Sequence, residues 1–218
     1  MLELTAFLGN PGLQYARNRH NAAWLLTQEL PFAESLSWQK KFNGLLASME
    51  NICLSRFCAA EDLSEPQQIP EKIYFLKPQT FMNCSGDSVI AAASFFKIKP
   101  ENIIIVHDEL ELALGTISLK FGGGLGGHNG LRSMKANFGT ADFWRLRIGI
   151  GRPDNRLPGQ GGREGSGEGI IDWVLSDFSA QELEVLEPVF KAAADLLTIV
   201  LVNGPQNYLP KWAKVKIV

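Results

Sequence analysis

A chain of 218 residues with 45% hydrophobic content and a net charge of −2 has the apolar material for an α/β core. Its 21 Lys and Arg against 23 Asp and Glu exclude a globally basic nucleic-acid binder. Three cysteines (Cys53, Cys58, Cys84) form no even framework and no CxxC, which points to reduced thiols and a cytoplasmic location.

The N-terminal MLELTAFLGNPG has no basic segment before a long apolar run, so no signal peptide is expected. LTAFLG (4–9) reads as a buried strand closed by a Gly-Asn-Pro-Gly turn. NAAWLLTQEL (21–30) reads as a helix with Asn21 placed to cap it. Further strands are expected near 44–49, 52–58 and 73–77, with a polar, Pro-containing loop at 61–71. Residues 86–96 have helical character and stop before Pro100. IIIVHDE (103–109) is a continuous apolar strand, too short to span a bilayer, so no membrane contact is expected. TISLKF (116–121) is a strand, LRSMKANF (131–138) a helix and LRIGIG (146–151) another strand. Residues 153–169 are rich in Gly, Pro and Arg and are expected to form a mobile loop. Ser179 and Glu182 spell a capping box for a last helix, which Gly204-Pro205 ends. Pro188 should kink that helix or delay its start.

Strands alternating with helices imply an α/β fold in a single domain over 1–218. Its expected core is a twisted mixed sheet, largely parallel, flanked by helices on both faces. Such sheets bind ligands beyond the carboxyl ends of their strands. Asn10, then His107-Asp108-Glu109, then GGGLGGHN (122–129) fall at such ends, and His20 lies just past the first turn. Between Ser94 and Arg152 eight Lys or Arg face five acids, whereas Glu50–Ala93 has three bases against six acids. A local basic face is one reading, although charge imbalance of this size usually marks only a solvated surface.

Several chemistries fail on spacing. Gly122, Gly124 and Gly127 match GxGxxG, but the acid that should hold a ribose, Asp142, precedes the next strand instead of following it. Ser166 has Glu164 where a nucleophile elbow needs glycine. There is no HExxH or HxH, so no metal site is expected. What remains is a His–carboxylate pair, His20 with Asp108, able to activate water without a covalent nucleophile or a cofactor. Neighbouring strand residues point to opposite sides, so His107 is expected to be structural. Asn10, Asn83 and Asn129 can donate to substrate carbonyls. Plainer readings stand beside these: Asn129 as a helix cap, Asn10 as a turn residue, and His128 as loop packing.

FLGNPGLQYARNRHNA (7–22), FLKPQTFMNCSG (75–86), HDELELALG (107–115), LKFGGGLGGHNGLRS (119–133) and FWRLRIGIGRP (143–153) together resemble the bacterial-type peptidyl-tRNA hydrolase family. The resemblance implies cleavage of the ester joining a peptide to tRNA, with peptidyl-tRNA as partner, no cofactor and a monomeric protein. By position it makes His20 the general base, Asp108 its stabiliser, and Asn10 the discriminator of N-blocked substrates. Asn83 and Asn129 would grip the substrate, Tyr15 and Phe81 would line the groove, and Lys120 and Arg147 would contact the tRNA 5′-phosphate. Three positions depart from the pattern: Ser118 where Arg or Lys is common, Asn18 for Thr, and Glu111 for Asp. Phosphate binding would then draw on Arg132 or Arg145. A non-catalytic RNA-binding module and a small-ester esterase are the competing readings.

Overall fold

A computed structural model of the chain describes residues 1–58, 70–153 and 167–218. Its elements are β1 (Leu4–Phe7), α1 (Ala22–Leu26), β2 (Gln39–Lys41), β3 (Gly44–Glu50), α2 (Asn51–Leu54), β4 (Lys72–Pro78), α3 (Ser85–Phe96), β5 (Ile103–Glu109), β6 (Thr116–Phe121), α4 (Asn129–Phe138), β7 (Trp144–Gly149), α5 (Gly167–Leu175), α6 (Ala180–Asn203), α7 (Leu209–Trp212) and β8 (Val215–Lys216). The strands form one sheet in the order β2-β3-β4-β1-β5-β7-β6-β8. The central four, β4-β1-β5-β7, are parallel, and antiparallel strands close both sides.

The centre is parallel because its strands are apolar on both faces. All seven residues of β5 are buried, as are all four of β1. One face packs Phe7, Ile104, Val106 and Leu146 against α1 and α6. The other packs Leu4, Ala6, Leu8 and Ile105 against α3 and α4. This is the α/β architecture expected, with helices on both faces.

Several boundaries differ from the sequence reading. Residues 52–58 are not a strand: α2 and a 3₁₀ turn (Ser55–Phe57) occupy them. β3 already pairs with β4 along its whole length up to Glu50↔Lys72, and the Asn51 N–H then closes onto the Glu71 carbonyl, so the chain turns. A short apolar run fits strand or helix equally, and pairing decided it. α1 ends at Leu26, where the Thr27 hydroxyl donates back to the Trp24 carbonyl. β7 starts and stops two residues before the expected span, in register with β5 from Ile104↔Trp144 to Glu109↔Gly149. The Ser179–Glu182 capping box forms as expected. α6 begins at Ala180 regardless of Pro188, whose exposed position leaves the carbonyl without its intrahelical partner on the solvent side. Of the expected loop at 153–169, residues 154–166 lie outside the described residues, and 167–169 already open α5. Most of the 61–71 loop also lies outside them.

α3 and α4 touch through a glycine. A Cβ on Gly86 would lie 2.4 Å from the Ser133 carbonyl oxygen, while the Gly86 N–H donates to Ser133 Oγ at 2.9 Å. A methyl group there must push two helices apart. Gly86→Ala should therefore destabilise the protein by roughly 1–3 kcal/mol, read as a lowered Tm in thermal unfolding; an unchanged Tm would show that this contact yields freely.

Candidate active site

The Arg19–Asn21 turn that carries His20 is tied to the far end of the chain. The Arg19 guanidinium stacks 3.9 Å above the Trp173 ring, donates to both Glu182 oxygens at 2.8 and 2.9 Å, and donates to the Asp177 carbonyl at 2.8 Å. The Arg19 N–H bonds the Ser176 carbonyl, and the Asn18 amide bonds that of Leu175. A buried guanidinium needs such acceptors, and meeting them at both terminal nitrogens holds the turn that carries the next residue.

His20 faces Asp108, the penultimate residue of β5. Its Nδ1 lies 2.9 Å from both carboxylate oxygens, and both side chains are buried. The ionised carboxylate can only accept, so Nδ1 carries the proton and Nε2 is left with its lone pair. Burial acts to lower the His20 pKa, but the Asp108 charge and hydrogen bond outweigh it, and the net shift is upward from 6.5. Burial would raise the Asp108 pKa, yet the imidazoles of His20 and His128 hold it far below the carboxylate range.

The His107 ring lies 4.8 Å from that of His128. The His107 Nδ1 donates to the Asp108 backbone carbonyl at 2.6 Å, and burial first of all pushes its pKa well below 6.5. It is a structural residue. His128 does more than pack the loop. Its Nδ1 accepts the N–H groups of Gly130 and Leu131 at 3.1 and 3.3 Å, and its Nε2 lies 3.0 Å from Asp108 Oδ1. His128 is thus the N-cap of α4, displacing Asn129, which is the first helical residue and is exposed. His20, Asp108 and His128 have the composition of a metal site. The cap argues against one, because Nδ1 is an acceptor and Nε2 must then hold a proton instead of offering a lone pair.

Asn10 is pinned by Asn21. The Asn21 side chain accepts the Asn10 N–H at 2.8 Å and donates to the Asn10 carbonyl at 3.0 Å. Asn21 therefore stands at the start of α1 without capping it. Asn10 Oδ1 accepts the Met82 N–H at 2.8 Å, which leaves its amide NH₂ as the free functional end. Met82 is buried against Gly130, where an added Cβ would lie 2.7 Å from its sulfur, so the 81–83 turn sits against the head of α4. Phe81, Asn83 and Asn129 are exposed, and the Phe81 ring meets that of Tyr15 edge-on at 6.4 Å. A cavity of about 320 Å³ opens beside the dyad, lined by His20, Asp108, His128, Asn129, Arg132 and the α5 residues Ile170 and Val174, among others. Asn129 shares this cavity with the dyad; Asn10, Tyr15, Phe81 and Asn83 do not line it.

The model of the peptidyl-tRNA hydrolase family matches residues 4–217. The chain belongs to that family. The peptidyl-tRNA hydrolase of Treponema pallidum (strain Nichols) is 41% identical over 219 residues, covering 99% of this chain and 96% of that one. That of Desulfitobacterium hafniense (strain Y51) is 40% identical over 198 residues, covering 91% and 92%. Among solved structures, peptidyl-tRNA hydrolase from Acinetobacter baumannii superposes with a TM-score of 0.74 at 32% identity, over 97% of this chain and 92% of that one. The chain is accordingly a hydrolase with the fold of its relatives, and no helix among the described residues is long and apolar enough to cross a membrane.

Within this peptidyl-tRNA hydrolase fold a basic cluster forms where β6 and β7 pair Ser118↔Arg147 and Lys120↔Arg145, placing all four side chains on one sheet face. The three cations crowd: burial first, then Arg147 and Arg145, lower the Lys120 pKa. Arg147 donates to Ser118 Oγ at 2.6 Å and reaches Glu109 at 3.4 Å, while Ser118 Oγ bonds the Ala213 carbonyl. Arg145 is not available to a phosphate: it is 1% exposed, and its guanidinium donates to the carbonyls of Gly123 and Gly124 at 2.8 and 2.6 Å. It props the glycine loop, where Gly122, Gly123, Gly126 and Gly127 adopt φ of +58°, +85°, +58° and +75°. Those values explain the glycines, since side chains with a Cβ rarely take them.

Sequence reasoning did not assign Arg19, made Asn21 a helix cap and Arg145 a phosphate contact, and undervalued His128. Arg-His-Asn at 19–21 follows a polar run (Gln14, Arg17, Asn18), so nothing local singled out Arg19. Arg145→Met keeps the apolar stem but removes both donors to the loop. Amide hydrogen exchange across 122–128 should then quicken by on the order of tenfold, with β1 and β5 still slow; unchanged exchange would show that the loop needs no prop.

Proposed function

We propose that this peptidyl-tRNA hydrolase cleaves the ester between peptide and tRNA by attack of a water molecule activated by His20, with Asp108 holding the imidazole in its working tautomer. The observation that carries this reading is the pair of 2.9 Å contacts from His20 Nδ1 to the two oxygens of a buried, ionised Asp108, beside an open cavity. Nε2 accepts the water proton as oxygen bonds to the carbonyl carbon, and the Asp108 charge stabilises the imidazolium that results. The imidazolium returns that proton to the departing ribose oxygen, so no covalent enzyme intermediate is required.

The amides fit roles around that reaction. Asn10 offers its amide NH₂, because its oxygen already accepts the Met82 N–H. A donor at this point recognises an acyl carbonyl, which an N-blocked aminoacyl group has and a free amine lacks. Asn129 reaches the shared cavity, and Asn83 stands beside Met82, both exposed for the scissile ester and the chain behind it. Tyr15 and Phe81 supply an aromatic wall. Lys120 and Arg147 serve the tRNA phosphate, Lys120 directly and Arg147 from behind it, since Glu109 and Ser118 already engage the arginine. A cluster of like charges on one face is costly without an anion to receive.

His20→Asn should reduce kcat on N-acetyl-aminoacyl-tRNA by on the order of 10²–10⁴-fold while changing tRNA affinity little; equal turnover would remove His20 from the base role. In the wild type, kcat/KM should rise with pH along a limb centred above 6.5, because the base must be neutral and its pKa is raised. A limb centred below 6.5 would contradict the Asp108 contribution. Lys120→Ala should lower tRNA affinity and flatten the slope of log affinity against log salt by about one, a result that a non-phosphate role for Lys120 would not produce.

A further inference from the structure

Asp108 has a second donor that the reaction outlined above does not use. Oδ1 receives His128 Nε2 at 3.0 Å as well as His20 Nδ1 at 2.9 Å. The tautomer of His128 follows from its other nitrogen. Nδ1 accepts two backbone N–H groups at the head of α4, so it cannot carry a proton, and the ring is neutral with its proton on Nε2. The His128 side chain is 8% exposed, which keeps water from replacing either contact. The carboxylate therefore meets two N–H donors, one from the base and one from the residue that caps α4.

We propose that His128 is a positioning residue that sets the working basicity of His20 by holding part of the Asp108 charge. A carboxylate that donors surround is a weaker base and pulls less strongly on the His20 proton. Without the second donor, the full charge of Asp108 would act on His20 alone, and more of the imidazole would be protonated and inactive at neutral pH. The hydrogen bond from His128 acts to lower the Asp108 pKa, and His20 lies on the raised side of its ordinary value after burial and Asp108 have opposed one another. Because His128 both ends the glycine loop and caps α4, a displacement of the loop would reach the base through this one contact.

Other charges around the pair are accounted for. Glu109, Arg132 and Arg152 line the same cavity, with Arg152 paired to Glu111. Arg19 is neutralised by Glu182. His107, whose ring lies 4.8 Å from that of His128, is kept neutral by burial. The wall from α5 contributes Ile170, Ile171 and Val174, and α1 contributes only apolar side chains.

The inference rests on His20 being the base, and the test separates the two. His128→Asn keeps a strong helix cap but is too short to reach Asp108. NMR titration of the His20 imidazole in the substrate-free protein should show its midpoint moved to higher pH by roughly half a unit or more. The acid limb of kcat/KM should move in the same direction. In an Asp108→Asn background, adding His128→Asn should leave the His20 midpoint where it was, because no charge remains to be shared. A His20 midpoint unmoved or lowered in the single variant, with α4 intact by circular dichroism, would overturn the proposal. So would an equal shift in the Asp108→Asn background. A moved NMR midpoint without a moved rate profile would leave the tuning in place and remove His20 from catalysis.

Discussion

One buried carboxylate governs this molecule. Asp108 is the penultimate residue of a strand with no exposed residue and is itself buried, so its charge must be matched by protein donors. Two imidazoles supply them, and each is delivered by a different part of the chain. His20 arrives on a turn that Arg19 locks to Glu182 at the head of α6. His128 arrives at the end of a glycine loop that Arg145 holds from below. The demand for satisfied charge thus pulls together segments 88 and 20 residues away from Asp108.

The surrounding amides obey the same accounting of donors and acceptors. Asn21 closes both backbone groups of Asn10, and Asn10 closes the Met82 N–H. What is left over is the Asn10 amide NH₂. A hydrolase acting on an acyl ester needs donors where negative charge develops on oxygen, and an arrangement in which the acceptors are already occupied leaves donors to offer. Packing assists: Gly130 lets Met82 and Leu8 come close enough to seat the 81–83 turn against α4.

The basic face shows how a local change is absorbed. Ser118 does not leave a hole beside Arg147; its hydroxyl accepts from that arginine and donates to the Ala213 carbonyl after α7. The cation is thereby anchored to the C-terminal segment, and Lys120 is left as the freer cation of the pair. Arg145, equally basic on paper, is buried under the loop and serves its carbonyls.

Much of this was legible in the order of residues. The parallel core follows from apolar runs such as IIIV, which leave a strand no polar face to turn outward. The Ser179–Glu182 box and the Gly204 stop are local codes, read within one turn of chain, and the structure keeps both. His20 and Asp108 could be named because strand ends and turn positions are set by nearby sequence. Residues 52–58 could not be read correctly, because a short apolar segment takes its form from whatever edge remains unpaired, and β4 was already filled by β3. Nor could the second donor on Asp108, the cap made by His128 in place of Asn129, or the burial of Arg145. Each depends on where side chains from distant segments come to lie, and hydrogen bonds of 3 Å are decided by the packed sheet and helices, not by spacing along the chain.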